Sequence, residues 1–155
     1  MGIEIERKFL VKDSSWQEEA DVGVLCRQGY LVGERALTVR VRVMGEVGFL
    51  TIKGETDGIR RAEFEYAIPV ADAEALLLQC SSVVKKRRYR VERGAHVWEI
   101  DTFTGENEGL VVAEIELNDE AEAFDKPAWL GAEVSLDTRY SNARLAVEPF
   151  SSWSR

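Results

Sequence analysis

From Ile3 to Phe9 charged and apolar residues alternate with the period of a β-strand, so Glu4, Glu6 and Lys8 share one face while Ile3, Ile5 and Phe9 share the other. A lone strand of this kind ordinarily turns its charges to water. Here the pattern keeps returning. Residues 24–32 put Cys26, Gln28 and Tyr30 on a common face, and residues 36–44 set Thr38, Arg40 and Arg42 against Leu37, Val39, Val41 and Val43. After a Gly45-Glu46 turn, residues 47–53 carry Phe49, Thr51 and Lys53 together. Residues 61–68 oppose Glu63 and Glu65 to Phe64, Tyr66 and Ile68. Residues 83–92 place Lys86, Arg88 and Arg90 on one face, residues 96–103 set Glu99, Asp101 and Phe103 against Trp98 and Ile100, and residues 110–117 align Val112, Glu114 and Glu116.

The connections read as turns and short helices. Residues 13–19 have capping residues and an acidic first turn, enough for a short helix. Pro69 starts a helix whose Leu76, Leu77 and Cys80 can cover the apolar backs of the strands. Asn118 caps a short acidic helix through Phe124, residues 127–131 break it, and residues 141–147 form a last helix stopped by Pro149. The prediction is an α+β fold, a single domain over residues 1–155. Its eight antiparallel strands form a barrel-like sheet with a charged interior, and its helices pack on the outside. Those helices, or a second copy of the chain in a homodimer, must cover the apolar backs.

Composition narrows the function. With 45% hydrophobic and 31% charged residues the chain is that of a globular protein. It has no signal-peptide pattern and no run approaching the ~20 apolar residues of a membrane span, so the cytoplasm is its expected place, with no membrane partner. A net charge of −8 disfavours nucleic acid as the main partner. Cys26 and Cys80, without a C-x-x-C or a histidine beside them, fit reduced core thiols and not a disulfide or zinc site. His96 falls on the apolar face with Trp98 and is expected to be structural.

The charges on the common face are sorted by strand. Glu4, Glu6, Glu63, Glu65, Glu99, Asp101, Glu114 and Glu116 supply acids, and Lys8, Arg40, Arg42, Lys53, Lys86 and Arg88 supply bases, with Arg90 a further candidate. Burying unpaired charges costs several kcal/mol each, so this many together imply mutual pairing, water and bound ions. All-oxygen carboxylate clusters suit Mg2+ or Mn2+, and Arg and Lys suit phosphate oxygens. A molecule with several contiguous phosphates could bridge the two sets, with phosphoryl transfer to water as the reaction. No Walker A or G-x-G-x-x-G sequence is present, so a phosphate site must be built of side chains.

Glu4-Ile5-Glu6-Arg7-Lys8 resembles the E-x-E-x-K signature of the CYTH, or triphosphate tunnel metalloenzyme, family. Arg40-Val41-Arg42, Lys53, Glu63-Phe64-Glu65, Lys86-Arg87-Arg88, Glu99-Ile100-Asp101 and Glu114-Ile115-Glu116 follow in the family's order. The resemblance implies an eight-stranded tunnel that binds a linear triphosphate with one or two Mg2+ or Mn2+ ions. It implies Glu4, Glu6, Glu114, Glu116 and Asp101 as metal ligands, and Lys8, Arg40, Arg42, Lys53 and Arg88 as phosphate ligands, with Arg139 near one tunnel mouth as a further one. Glu63, Glu65 and Glu99 would orient bases or water. Lys86 would be a general base or another phosphate clamp, and Tyr30 would hydrogen-bond Lys86 or the attacking water. The short chain is most similar to family members that hydrolyse inorganic tripolyphosphate to pyrophosphate and phosphate. Adenylate cyclase chemistry, nucleoside or thiamine triphosphatase activity and non-catalytic polyphosphate sensing are the alternatives.

Overall fold

The computed structural model describes residues 2–154. The alternating segments form strands β1 (Ile3–Val11), β2 (Val24–Gly33), β3 (Leu37–Met44), β4 (Val47–Gly54), β5 (Arg60–Ile68), β6 (Val83–Arg93), β7 (His96–Phe103) and β8 (Val111–Glu116), joined by a short ninth, β9 (Leu130–Glu133). Helix α1 (Val70–Leu77) follows β5, and α2 (Asn142–Val147) lies near the C-terminus. All strand pairings are antiparallel. Neighbours run β5-β4-β3-β2-β6-β7-β8-β1, and β5 closes back on β1 through Ile3 opposite Ala62 and Ile5 opposite Arg60. Closure gives an eight-stranded barrel without a free edge along that seam.

Two local expectations are corrected. Residues 118–124 form no helix: the Asn118 N–H donates to Glu122 Oε1 at 2.7 Å and the Ala121 N–H to Asp119 Oδ1 at 2.8 Å. A single turn forms there, the Glu122 N–H bonding the Asp119 carbonyl at 3.1 Å, and beyond it the chain leaves the helical path to pack Phe124 against Phe9 and Trp98. Residues 130–133, with Leu130 and Gly131 expected within the break at 127–131, run along the edge of β1 as β9, with Val11 opposite Leu130 and Phe9 opposite Glu133. The backbone comes so close there that a Cβ at Gly131 would lie 2.9 Å from the Leu10 carbonyl oxygen. The predicted helix at 13–19 shrinks to a 3-10 turn, Ser15–Glu18, that buries Trp16.

Because side chains alternate, one face of the barrel wall is apolar and outward. Ile5, Phe9, Trp98, Ile100, Ala113 and Ile115 are buried beneath Trp16, Phe124 and Trp129. Val41 and Val43 lie under Ala73 and Leu77 of α1. The inward face is charged over most of its length but turns apolar at one end. There Val84, Phe103 and Val112, in phase with Lys86, Asp101 and Glu114, close on Leu145 of α2. Helix α2, capped by the Ser141 hydroxyl at the Arg144 N–H, thus plugs one end of the tunnel. Both cysteines are free thiols. Among the described residues no helix is long and apolar enough to cross a membrane.

Candidate active site in the charged tunnel

Strand register assembles the site. Lys8 lies opposite Glu114 and Glu6 opposite Glu116, while Arg88 lies opposite Asp101, Lys53 opposite Glu63, and Arg40 opposite Thr51. The inward side chains then sort into four connected groups.

The first group centres on Asp101, which is fully buried. Its Oδ1 accepts from Arg88 Nε at 2.8 Å, and its Oδ2 accepts from Lys86 Nζ at 2.8 Å and Arg88 Nη2 at 2.9 Å. Both oxygens are therefore committed to cations. Burial alone would raise Asp101, but Arg88 and Lys86 hold it below the usual carboxylate range. Arg88 also reaches Glu99 at 3.3 Å and Glu114 at 3.6 Å. Lys86 donates a second hydrogen bond, 3.0 Å, to Asn142 Oδ1 of the plug helix. Burial lowers Lys86 to about 8, with Asp101 pulling it up and Arg88 and Arg42 pushing it down.

The second group joins Lys53 to Glu4 at 3.1 Å and Glu63 at 3.3 Å. In the third, Arg40 donates to Thr51 Oγ1 and, at 3.3 Å, to Glu65, which also accepts from Thr51 at 2.7 Å. Arg40 is 7% exposed, and its Nε has no hydrogen-bond partner. In the fourth, Arg42 Nε donates to Gln28 Oε1 at 2.8 Å and Gln28 Nε2 donates to the Tyr30 hydroxyl at 3.1 Å. Burial, then Arg40 and Arg88, lower the pKa of the Arg42 guanidinium. Lys8 Nζ donates to the Tyr140 carbonyl at 3.2 Å.

The carboxylates lie among these cations. Burial and the neighbouring Glu114 and Glu4 hold Glu6 well above the ordinary value; burial also raises Glu116, next to Glu4 and Glu99. Glu4 is raised by burial and by its hydrogen bond to Glu63. Burial would raise Glu114 too, but Lys8, Arg88 and Lys86 hold it well below its ordinary value. Like-charged groups forced together in this way favour a bound cation, and the donors are oxygen only, which suits a hard divalent ion. Among the described residues no three His, Cys, Asp or Glu side chains stand ready as a metal cage.

Most of the residues singled out in the sequence face the tunnel together. Asp101 stands there with both oxygens occupied by Lys86 and Arg88, an arrangement that orients cations and leaves little for a metal. Tyr30 bonds Gln28 and not Lys86. Arg139 lies apart, ion-paired to Asp137 at 2.7 Å and stacked 4.9 Å from the Trp153 ring centre. Arg90 is exposed at the rim of a hollow of about 360 Å³ that it shares with His96, Glu99, Glu116 and Glu122. His96 contacts Glu122 there at 2.5 Å. Gln28, Thr51 and Asn142 were not picked out as site residues. Alternation puts the first two on the charged face, but their neutrality hid them; Asn142 arrives from a helix with no such pattern.

The model of the CYTH domain matches residues 2–146. The chain is 48% identical to an inorganic triphosphatase of Acetivibrio thermocellus over 97% of both chains. It is 37% identical to an inorganic triphosphatase of Nitrosomonas europaea, covering 93% of this chain and 97% of that one. A crystal structure of an inorganic triphosphatase superposes with a TM-score of 0.67 at 36% identity, covering 93% of this chain and 94% of that one. A matching tunnel of in-register charges and a match that spans nearly the whole chain agree: this protein belongs to the CYTH domain family.

Proposed function

We propose that the chain hydrolyses inorganic triphosphate to pyrophosphate and phosphate inside the tunnel. The observation that carries this reading is the group of buried arginines at the lumen, Arg40, Arg42 and Arg88, with a donor left over. Arg40 keeps a buried N–H without an acceptor, and burial together with the nearby Arg40 and Arg88 disfavours the charged state of Arg42. A buried donor left unsatisfied costs about 1–3 kcal/mol, which a phosphate oxygen would recover. The nearly full-length similarity to two inorganic triphosphatases supports the same substrate.

In this reading Lys8, Arg40, Arg42, Lys53 and Arg88 hold the phosphates, and Glu4, Glu6, Glu114 and Glu116 would hold Mg2+ or Mn2+. A bound divalent ion would neutralise phosphate charge and help align the transferring group. Asp101 locks Arg88 and Lys86 in place, and Glu63, Glu65 and Glu99 orient Lys53, Arg40 and Arg88. Lys86, held near 8, is neutral in a substantial fraction of molecules at slightly alkaline pH. The neutral amine takes a proton from the attacking water as its oxygen bonds to phosphorus and the bridging P–O bond breaks. The plug helix and the apolar residues beside it keep one end of the tunnel dry.

The test is a substrate panel of tripolyphosphate, ATP and thiamine triphosphate, each with Mg2+, Mn2+ or chelator. The reading predicts that tripolyphosphate with metal is turned over fastest. Cyclic AMP as the main product from ATP would replace it with cyclase chemistry, and tight binding without turnover would make the protein a sensor.

A further inference from the structure

We propose that Gln28 is a positioning residue that aims both the Arg42 guanidinium and the Tyr30 hydroxyl into the tunnel, and that its neutrality keeps the charge of Arg42 available for phosphate. The inference rests on the triphosphate reading above. Gln28 is completely buried in the middle of β2, directly opposite Arg42 on β3. Its amide orientation follows from chemistry: Arg42 can only donate, so the atom 2.8 Å from Arg42 Nε must be the carbonyl oxygen. The Cys26 thiol donates to the same oxygen at 3.4 Å.

Two consequences follow for the lumen. With Nε bound to Gln28, the guanidinium cannot rotate about its stem, and its two terminal nitrogens stay presented to an anion. The other end of the amide, Nε2, donates to the phenolic oxygen of Tyr30 at 3.1 Å, so that oxygen is occupied as an acceptor and its own hydrogen is free to donate elsewhere. A glutamate would make the same contact with Arg42 but cancel its charge, and it would accept the Tyr30 hydrogen instead of freeing it. The neighbouring cations Arg40 and Arg88, which already crowd Arg42, make an uncompensated charge here costly to keep without a ligand.

The experiment compares wild type, Gln28→Glu, Gln28→Met, Arg42→Gln and the double variant Gln28→Met/Arg42→Gln. Binding of inorganic tripolyphosphate is titrated with metal withheld, KM and kcat are measured with Mg2+, and the Arg42 Nε–H is followed by NMR in the ligand-free protein. Gln28→Glu should weaken binding about tenfold or more and raise KM in step, and Gln28→Met should weaken it by about fivefold. In the Arg42→Gln background Gln28→Met should change affinity by less than about twofold, because its effect passes through Arg42. The Arg42 Nε–H should be protected in wild type and exchange freely in Gln28→Met. Wild-type affinity in Gln28→Glu, or a loss that carries over in full into the Arg42→Gln background, would overturn the inference. So would an Arg42 Nε–H indifferent to Gln28. If wild type does not bind tripolyphosphate but the Nε–H still responds to Gln28, the triphosphate reading falls while the coupling between the two side chains stands. A purely structural role would lower thermal stability and leave KM unchanged.

Discussion

Lys86 Nζ lies 2.8 Å from Asp101 Oδ2, and solvent reaches neither side chain. The pair sets the charge state of the tunnel's central amine. Burial lowers Lys86 to about 8, and Asp101 opposes that shift. If the neutral amine is the base, activity must rise as pH increases through the Lys86 value. Asp101→Asn removes the group that favours the charged amine, so the rising limb should move to lower pH. Asn142→Asp adds a carboxylate 3.0 Å from the same nitrogen and should move the limb to higher pH. Profiles of kcat against pH for the three proteins check both directions. Lys86→Ala should abolish the limb and reduce kcat more than affinity; a loss confined to KM would make Lys86 a clamp.

Glu6 is held well above its ordinary value by burial and by Glu114 and Glu4, so it is strained in the ligand-free protein. Glu6→Gln should therefore raise the thermal midpoint by about 2–4 °C, equivalent to about 1 kcal/mol in a chain of this size. The same change should abolish the further rise that Mg2+ produces in wild type and remove turnover. Thermal melts with and without Mg2+ decide it. Unchanged activity at limiting Mg2+ would take Glu6 out of the ligand set.

Arg40 carries the orphaned Nε, so its removal should cost binding and not folding. Arg40→Gln is predicted to weaken tripolyphosphate binding by about 1.5–3 kcal/mol, the worth of a charged hydrogen bond. Stability should stay level or improve, because the substitution also relieves repulsion on Arg42. Calorimetric titration together with a melt separates these outcomes from a general loss of structure.

The barrel was legible because one physical pattern, alternation, recurs in eight segments, and a one-residue slip in any of them would have put charge in the apolar shell. What the alternation could not supply was anything outside it. Residues 118–124 stop at one turn while Glu122 reaches His96 and Phe124 packs on Phe9 and Trp98, contacts that helix propensity does not register, and β9 exists only because Leu130 and Glu133 meet the edge of β1 across the whole fold. In the site, charge marked Lys86, Arg88 and Glu114, but the partners that fix them are neutral or come from distant segments. Gln28, Thr51 and Asn142 carry no charge to draw notice, and the Tyr140 carbonyl that receives Lys8 belongs to the backbone. Arg139 was placed by proximity in sequence to the plug, whereas Asp137 and the Trp153 ring hold it outside the cluster.

The plug joins stability to the site. Leu145 is 1% exposed against Val84, Phe103 and Val112, and Asn142 of the same helix reaches Lys86. Leu145→Ala should cost about 2–5 kcal/mol through the cavity it leaves. Molecules that remain folded should turn over more slowly, since the helix no longer holds Asn142 firmly against Lys86. Urea unfolding and kcat measured below the transition check the two effects; full activity in the folded variant would uncouple the plug from the amine.

Hydrolysis of inorganic triphosphate with a divalent metal is the work proposed for this tunnel. Phosphorus NMR of tripolyphosphate incubated with the protein and Mg2+ tests it most directly. Pyrophosphate and orthophosphate should appear in equal amounts, and neither should appear when the metal is chelated. Tripolyphosphate that persists unchanged with both Mg2+ and Mn2+ would contradict it.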